Sequence, residues 1–339
     1  MASRIDWIDF AKGFVMIAVV WGHALIPDAA LNKFFFMFRM PFFFVMAGFL
    51  LNLDKWGGAE NYKKFLTKLF NRLLVPYYLA ELLFYPIWFV VCHEAGLLRY
   101  SWGLTDIDPI DALAAIFMGN GSLILAPLWF LTALFIAEII FLKLCNHFGK
   151  IDLKIFTVAG ICAFIGLNQK FFYLPMSADI SLAAQIFLLA GVLIRKFNFH
   201  ERLDFKICCV LAIILLGAFH FNEPVILIHR QYGNPILFYA GGIAGTLLVL
   251  KFSMLVAKFA GTFCELIKYC GRQSMIILIL HPIIANVLYE FIAATTNFPP
   301  QHFPTKPIII LPVAAAGVLI PIFIAKHFGK LPLLRLFCT

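Results

Sequence analysis

The sequence predicts an all-α fold, a polytopic membrane helix bundle of about ten transmembrane helices with the N- and C-termini cytoplasmic. Three observations carry this expectation. Of 339 residues, 63% are hydrophobic and only 13% charged, whereas a soluble domain carries about 25% charged residues. Too few polar side chains are present to cover a water-facing surface. Apolar runs long enough to cross a bilayer recur about ten times. Finally, 21 of the 27 Lys and Arg residues fall in alternate connecting segments, the pattern that holds basic loops on the cytoplasmic side.

The runs lie near 11–28, 34–53, 73–93, 127–145, 154–169, 179–196, 206–222, 235–255, 273–293 and 307–327. The first is flanked by Asp6 and Asp9 as well as Arg4 and Lys12, and it leads directly into a second run. It therefore reads as a retained helix and not as a signal peptide. Segment 54–72, with Lys55, Lys63, Lys64, Lys68 and Arg72, reads as a basic amphipathic helix on the cytoplasmic surface. The third span is expected to begin at Pro76. The outer segment 94–126 is longer, with Asp106, Asp108, Asp111 and a Gly-Asn-Gly turn at 119–121. The fifth and seventh runs are the shortest. With no repeat or low-complexity tract, residues 1–339 read as one membrane domain without an appended soluble domain. The net charge of +9 is spread over the inner segments, so it marks topology and not a nucleic-acid partner. The eight cysteines mostly sit in or beside apolar runs, without CxxC or zinc spacing; they read as structural thiols, and no metal is expected.

The N-terminal run carries the chemistry. Lys12 and His23 are eleven residues apart, about three helical turns, so they share one face and are separated by about 16 Å along the axis. Asp9 lies one turn before Lys12 on that face. Inside a membrane an ionisable side chain costs free energy and marks a functional position by default. By that argument Arg39, within the second apolar run, should face the bundle interior. An imidazole titrates near neutral pH, so His23 could serve as a proton acceptor.

These residues resemble the opening of the acyltransferase-3 family, membrane O-acyltransferases that modify bacterial surface glycans. The family begins with a basic residue, ten intervening residues and a His; here these are Lys12 and His23, with Asp9, Gly13 and Gly22 around them. Phe38-Arg39-Met40-Pro41-Phe42-Phe43-Phe44-Val45-Met46-Ala47-Gly48-Phe49 resembles its second helix. Arg72-Leu73-Leu74-Val75-Pro76-Tyr77 resembles its entry to the third helix, and Pro127-Leu128-Trp129-Phe130-Leu131 its "PLWFL" start. Gly271-Arg272-Gln273-Ser274-Met275 with His281-Pro282 resembles a late helix. The branch that looks nearest is the fucose 4-O-acetylase-like one. Two departures stand in the second helix, where Arg39 replaces a common His and Ala47 a common Ser.

The resemblance implies an acyl-CoA-dependent O-acyltransferase of the bacterial inner membrane. It would move an acetyl or other short acyl group from cytoplasmic acetyl-CoA to a carbohydrate or lipid-linked glycan. His23 is then the expected base, with Arg39 and Asp9 completing the catalytic set. Lys12, Arg72 and Arg272 would hold the donor phosphates, and Trp129, His281 and Glu290 would line the acceptor pocket. Either Glu138 or Glu290 is available to orient His23. Membrane lipid is a further partner, and a homo-oligomer is compatible with the reading. The alternative is a multi-spanning transporter of a lipid-linked sugar or small solute, a class commonly built from repeats and broken helices.

Overall fold

A computed structural model describes residues 5–24, 30–96, 107–119, 125–149, 151–169, 174–259, 261–296 and 306–338. Arg4, Arg99, Asp106, Asn120, Gly121, Lys150, Lys170 and the tip of the ninth connection at 297–305 lie outside them. The described residues are helical, with one isolated β-bridge between Ile226 and Gln231. In chain order the helices are α1 (Asp6–Ala24), α2 (Ala30–Phe36), α3 (Arg39–Leu50), α4 (Leu53–Trp56), α5 (Ala59–Leu69) and α6 (Val75–Trp88). Next come α7 (Pro109–Met118), α8 (Trp129–Phe148), α9 (Leu153–Asn168), α10 (Ala178–Ala183), α11 (Gln185–Lys196) and α12 (Phe205–Phe221). The chain then forms α13 (Pro235–Val256), α14 (Thr262–Arg272), α15 (Ser274–Thr295), α16 (Pro307–Phe328) and α17 (Pro332–Arg335).

Local chemistry explains several boundaries. Asp108, Asp152 and Asp204 cap α7, α9 and α12, each carboxylate accepting from backbone N–H groups of the first turn, a contact worth about 1 kcal/mol. Pro109 opens α7, and Gly119 closes it in the left-handed conformation at φ 64°, which glycine adopts without steric cost.

Among the described residues, six stretches are long and apolar enough to cross a membrane: Ala30–Leu50, Glu60–Glu94, Ala126–Phe148, Pro235–Val256, Ser274–Thr295 and Pro307–Phe328. A seventh is formed if α10 and α11, bent by 55° at their junction, count as one span. The protein is thus a multi-pass helical membrane protein. All ten apolar runs of the sequence fall on helix, but α9 and α12 are short, and α1 carries Asp6, Asp9 and Lys12 in its first turns.

Two local expectations change. The basic amphipathic segment is helical as α5, with Phe65 and Leu69 buried and Lys63, Lys64 and Lys68 exposed. It does not stand apart from the third span, however: α5 runs into α6 through a π-turn at Phe70–Leu74. Pro76 therefore lies inside a continuous helix and does not open one. A proline lacks the N–H that would bond the carbonyl four residues back and crowds that carbonyl. The wider turn just before Pro76 is where the helix accommodates it, a common use of π-turns.

The described residues pack as two compact units interleaved in sequence. The first comprises residues up to Asn32, Pro76–Leu128 and Ser253 onward; the second comprises Lys33–Val75 and Trp129–Phe252. In the first, α1 lies against α14, and α15 against α16 and α1. In the second, α3 lies against α11, and α8 against α9, α10 and α11. Each unit has a crossing at which backbones touch. A Cβ added to Gly13 would overlap the Ile267 carbonyl, and one added to Gly271 the Asp9 carbonyl. Likewise a Cβ on Gly48 would overlap the Leu188 carbonyl, and one on Gly191 the Val45 carbonyl. Small residues at such crossings let membrane helices approach closely and gain dispersion energy.

The second unit also buries an ion pair. Arg230, left-handed at φ 56°, reaches the fully buried Asp179 through Nε to Oδ2 at 2.5 Å and Nη2 to Oδ1 at 2.9 Å. Its Nη1 donates to the Ile228 carbonyl. Beside it, Asn222 ties the loop before α13 by donating to the Tyr232 carbonyl and accepting from the Asn234 N–H.

Candidate active site

The first unit assembles a site along α1. Asp9, Lys12 and His23 all lie on this helix, as the eleven-residue spacing requires. At its N-terminal end the glycine crossing sets the neighbours. Gly13 and Gly271 meet backbone to backbone there, and their neighbours in sequence are Lys12 and Arg272. Arg272 also lies over the ring of Tyr269, 5.7 Å from its centroid. Lys268, one turn earlier on α14, is buried and donates to Glu265 at 2.8 Å and to Asp6 at 3.0 Å. Those bonds, Glu265 first and Asp6 second, hold its ammonium above the ordinary lysine range. Read from sequence, Lys268 is only one more inner-loop charge; in the fold it pins α14 to the start of α1.

At the other end of α1, two imidazoles meet. His23 Nδ1 lies 2.6 Å from His281 Nε2. The ring planes are 8° apart and the centroids 4.9 Å apart. Parallel planes alone would fit stacking, but the 2.6 Å contact plus one ring radius at each end accounts for the centroid separation. The rings therefore meet edge to edge, which directs an N–H onto an in-plane lone pair. His281 Nδ1 lies 2.8 Å from the Ile277 carbonyl, which can only accept, so that nitrogen carries a proton. In neutral His281, Nε2 is then the acceptor and His23 Nδ1 the donor. This chain of bonds leaves Nε2 as the basic nitrogen of neutral His23. Pro282 follows directly and offers no N–H to the Leu278 carbonyl, so the turn that presents His281 is a modified one. On the third helix in contact, Gly317 of α16 lies against Val20 and His281; a Cβ there would be 2.9 Å from Val20 Cγ1 and 3.5 Å from His281 Cβ.

The remaining candidates fall elsewhere. Asp9 is fourteen residues from His23, about 21 Å of helical rise. It lies at the Lys12 end of α1. Glu290 is nine residues beyond His281, two and a half turns, and so points from the opposite face of α15. Its charge acts on Cys92, and its Oε2 is buried without a hydrogen bond among the described residues. Glu138, in the second unit, accepts from Arg72 Nη2, with the carboxylate buried and the guanidinium half-exposed. The described contact of His23 is with His281. Arg39, also in the second unit, is buried with its guanidinium carbon 3.8 Å from the Phe36 ring centroid, a cation–π geometry. Trp129 is buried in the second unit, edge-on to Phe130 at 6.0 Å between centroids, so it is not a lipid-facing belt residue. Two acids within apolar runs escape the sequence reading: Glu81 of α6, in the first unit, and Asp179 of α10, in the second, are both fully buried. Among the described residues no group of three or more His, Cys, Asp or Glu gathers to hold a metal.

The described residues thus form a multi-pass helical membrane fold with an imidazole pair beside the far end of its first helix. The family comparison gives this fold its chemistry: an acyltransferase domain, acyltransferase-3, matches residues 5–327. The chain belongs to the acyltransferase-3 family and is a membrane acyltransferase. No curated protein and no solved structure matches it.

Proposed function

We propose that the protein transfers an acetyl or other short acyl group from cytoplasmic acyl-CoA to a hydroxyl of a surface glycan or lipid-linked sugar. The observation that carries this reading is the coplanar His23–His281 pair, which leaves one imidazole nitrogen basic at the end of α1 opposite Lys12. His23 Nε2 takes the proton of the acceptor hydroxyl as its oxygen attacks the thioester carbonyl. When the tetrahedral intermediate collapses, the carbon–sulfur bond breaks and the imidazolium returns the proton to the departing thiolate. Ester and free thiol result, and the base is regenerated. Lys12, about 16 Å away along α1, and Arg272 of α14 supply positive charge for the donor phosphates while the pantetheine arm reaches toward His23. The bacterial inner membrane and a cytoplasmic N-terminus fit such a donor.

Transport is the second reading, and one observation favours it: α10 and α11 are bent by 55°, and broken helices are common at transporter binding sites. One assay separates the two. Purified protein is given radiolabelled acetyl-CoA and membrane glycan, with His23→Ala and Lys12→Ala compared to wild type. We expect His23→Ala to lose about 10²–10⁴-fold in kcat, and Lys12→Ala mainly to raise the KM for acetyl-CoA. Undiminished transfer by His23→Ala removes the base assignment. Neither transfer nor thioester hydrolysis by wild type, over several acceptors, points to transport.

A further inference from the structure

The first unit carries a cleft of about 770 Å³ between α14 and the C-terminal half of α16. Leu319, Ile320 and Phe323 form its α16 wall, and all three are exposed, Phe323 at 57%. The wall continues toward the helix end into Lys326 and His327, both exposed, and Arg272 of α14 also lines the cleft. Residues 319, 320, 323, 326 and 327 follow the spacing of one helical face. The cleft therefore has a direction: apolar along the span, cationic at its end. Because Pro307–Phe328 is a membrane span by length and composition, its exposed apolar face meets acyl chains, and its basic end meets the headgroup level.

We infer that this cleft binds an anionic phospholipid, its acyl chain along Leu319, Ile320 and Phe323 and its phosphate between Arg272 and Lys326. Glu265 also lines the cleft and would repel an anion, but Lys268 meets its carboxylate at 2.8 Å. Lys268 is shared between Glu265 and Asp6, and in the lining Arg272 and Lys326 outnumber Glu265, a net positive charge that favours an anionic headgroup. An exposed hydrocarbon wall likewise favours a membrane amphiphile over a soluble phosphate. The inference does not depend on the acyl donor or acceptor. Its functional meaning is that lipid phosphate and any ligand phosphate at Arg272 compete for one guanidinium.

The test uses the full chain purified in a neutral detergent. Native mass spectrometry reads the retention of phosphatidylglycerol against phosphatidylcholine with matched chains, for wild type, Lys326→Gln and Lys326→Glu. Thermal melting with each lipid checks that the variants fold and gives a second readout. Wild type should retain phosphatidylglycerol selectively and melt higher with it. Lys326→Gln should weaken that binding about fivefold, the contribution of one cation at a membrane surface, and Lys326→Glu should weaken it further. Equal retention of the two lipids by wild type, or unchanged phosphatidylglycerol binding by Lys326→Glu, overturns the inference. A third arm adds coenzyme A and inorganic phosphate without lipid. Binding of these that is lost in Lys326→Glu, with lipid binding unchanged, would give the cleft to a soluble phosphate instead.

Discussion

His23 takes its meaning from a residue that local spacing cannot supply. The Lys12–His23 relation is legible in the sequence because both sit on one helix and the helical period fixes their face. His281 lies 258 positions away, and no periodicity links it to His23. For the same reason carboxylates looked like the natural partners of His23, while the fold commits Glu138 to Arg72 and turns Glu290 to the opposite face of α15. If His281 sets the tautomer of His23, truncating it should act on chemistry and not on donor binding. His281→Ala is expected to lower kcat by about 10²-fold, the scale of a misplaced catalytic group, with the KM for acyl-CoA unchanged. His281→Gln keeps a carbonyl to accept the His23 Nδ1–H and should recover part of the loss. The acidic limb of the pH–kcat profile, where a general base is lost to protonation, should differ between the two variants. An unaltered kcat in His281→Ala would remove the positioning role.

At the scale of elements, apolar runs told where helices are, because burial in lipid or protein demands them whatever their neighbours. They did not tell how helices end or bend. Pro76 reads as a start by local rules, and the π-turn that lets the helix pass through it has no signature of its own. The run at 179–196 is equally apolar on both sides of its bend; what differs there is tertiary, with Ser181 and Gln185 donating to the Ala133 and Ala137 carbonyls of α8. The glycine crossings were visible as residues but not as contacts. They make a sharp contrast testable by melting in detergent. Gly13→Ala and Gly48→Ala each force a methyl into a partner backbone and should destabilise by about 1–3 kcal/mol. Gly160 and Gly217 lie in α9 and α12 with nothing within 4 Å of an added Cβ. Alanine there should be neutral or stabilise by about 0.5–1 kcal/mol. Equal effects at all four positions would mean that the crossings are not the tight points of the fold.

For the whole molecule, the family and the multi-pass helical architecture were legible from bulk composition and motif order, both of which survive ignorance of packing. The division into two units was not, since each is assembled from segments far apart in sequence. Crossing number follows from helix length and depth together, and ten crossings with both ends inside remains the topology that the basic residues favour. A reporter that fluoresces only in the cytoplasm, fused after residue 339 or in the turn before Ala59, should be bright at both sites. One fused at Gly119 should be dark. A dark C-terminal fusion would leave an odd number of crossings. The helix α1 adds a constraint of another kind. It is pinned to α14 at Gly13 and to α15 at His23, so the interval between its cationic end and its base is that of a rigid rod. On the proposed reaction, such a rod is a ruler. A small activated acyl compound with the right leaving group but no long arm cannot touch both marks at once, and it is refused for its length before its reactivity is ever consulted.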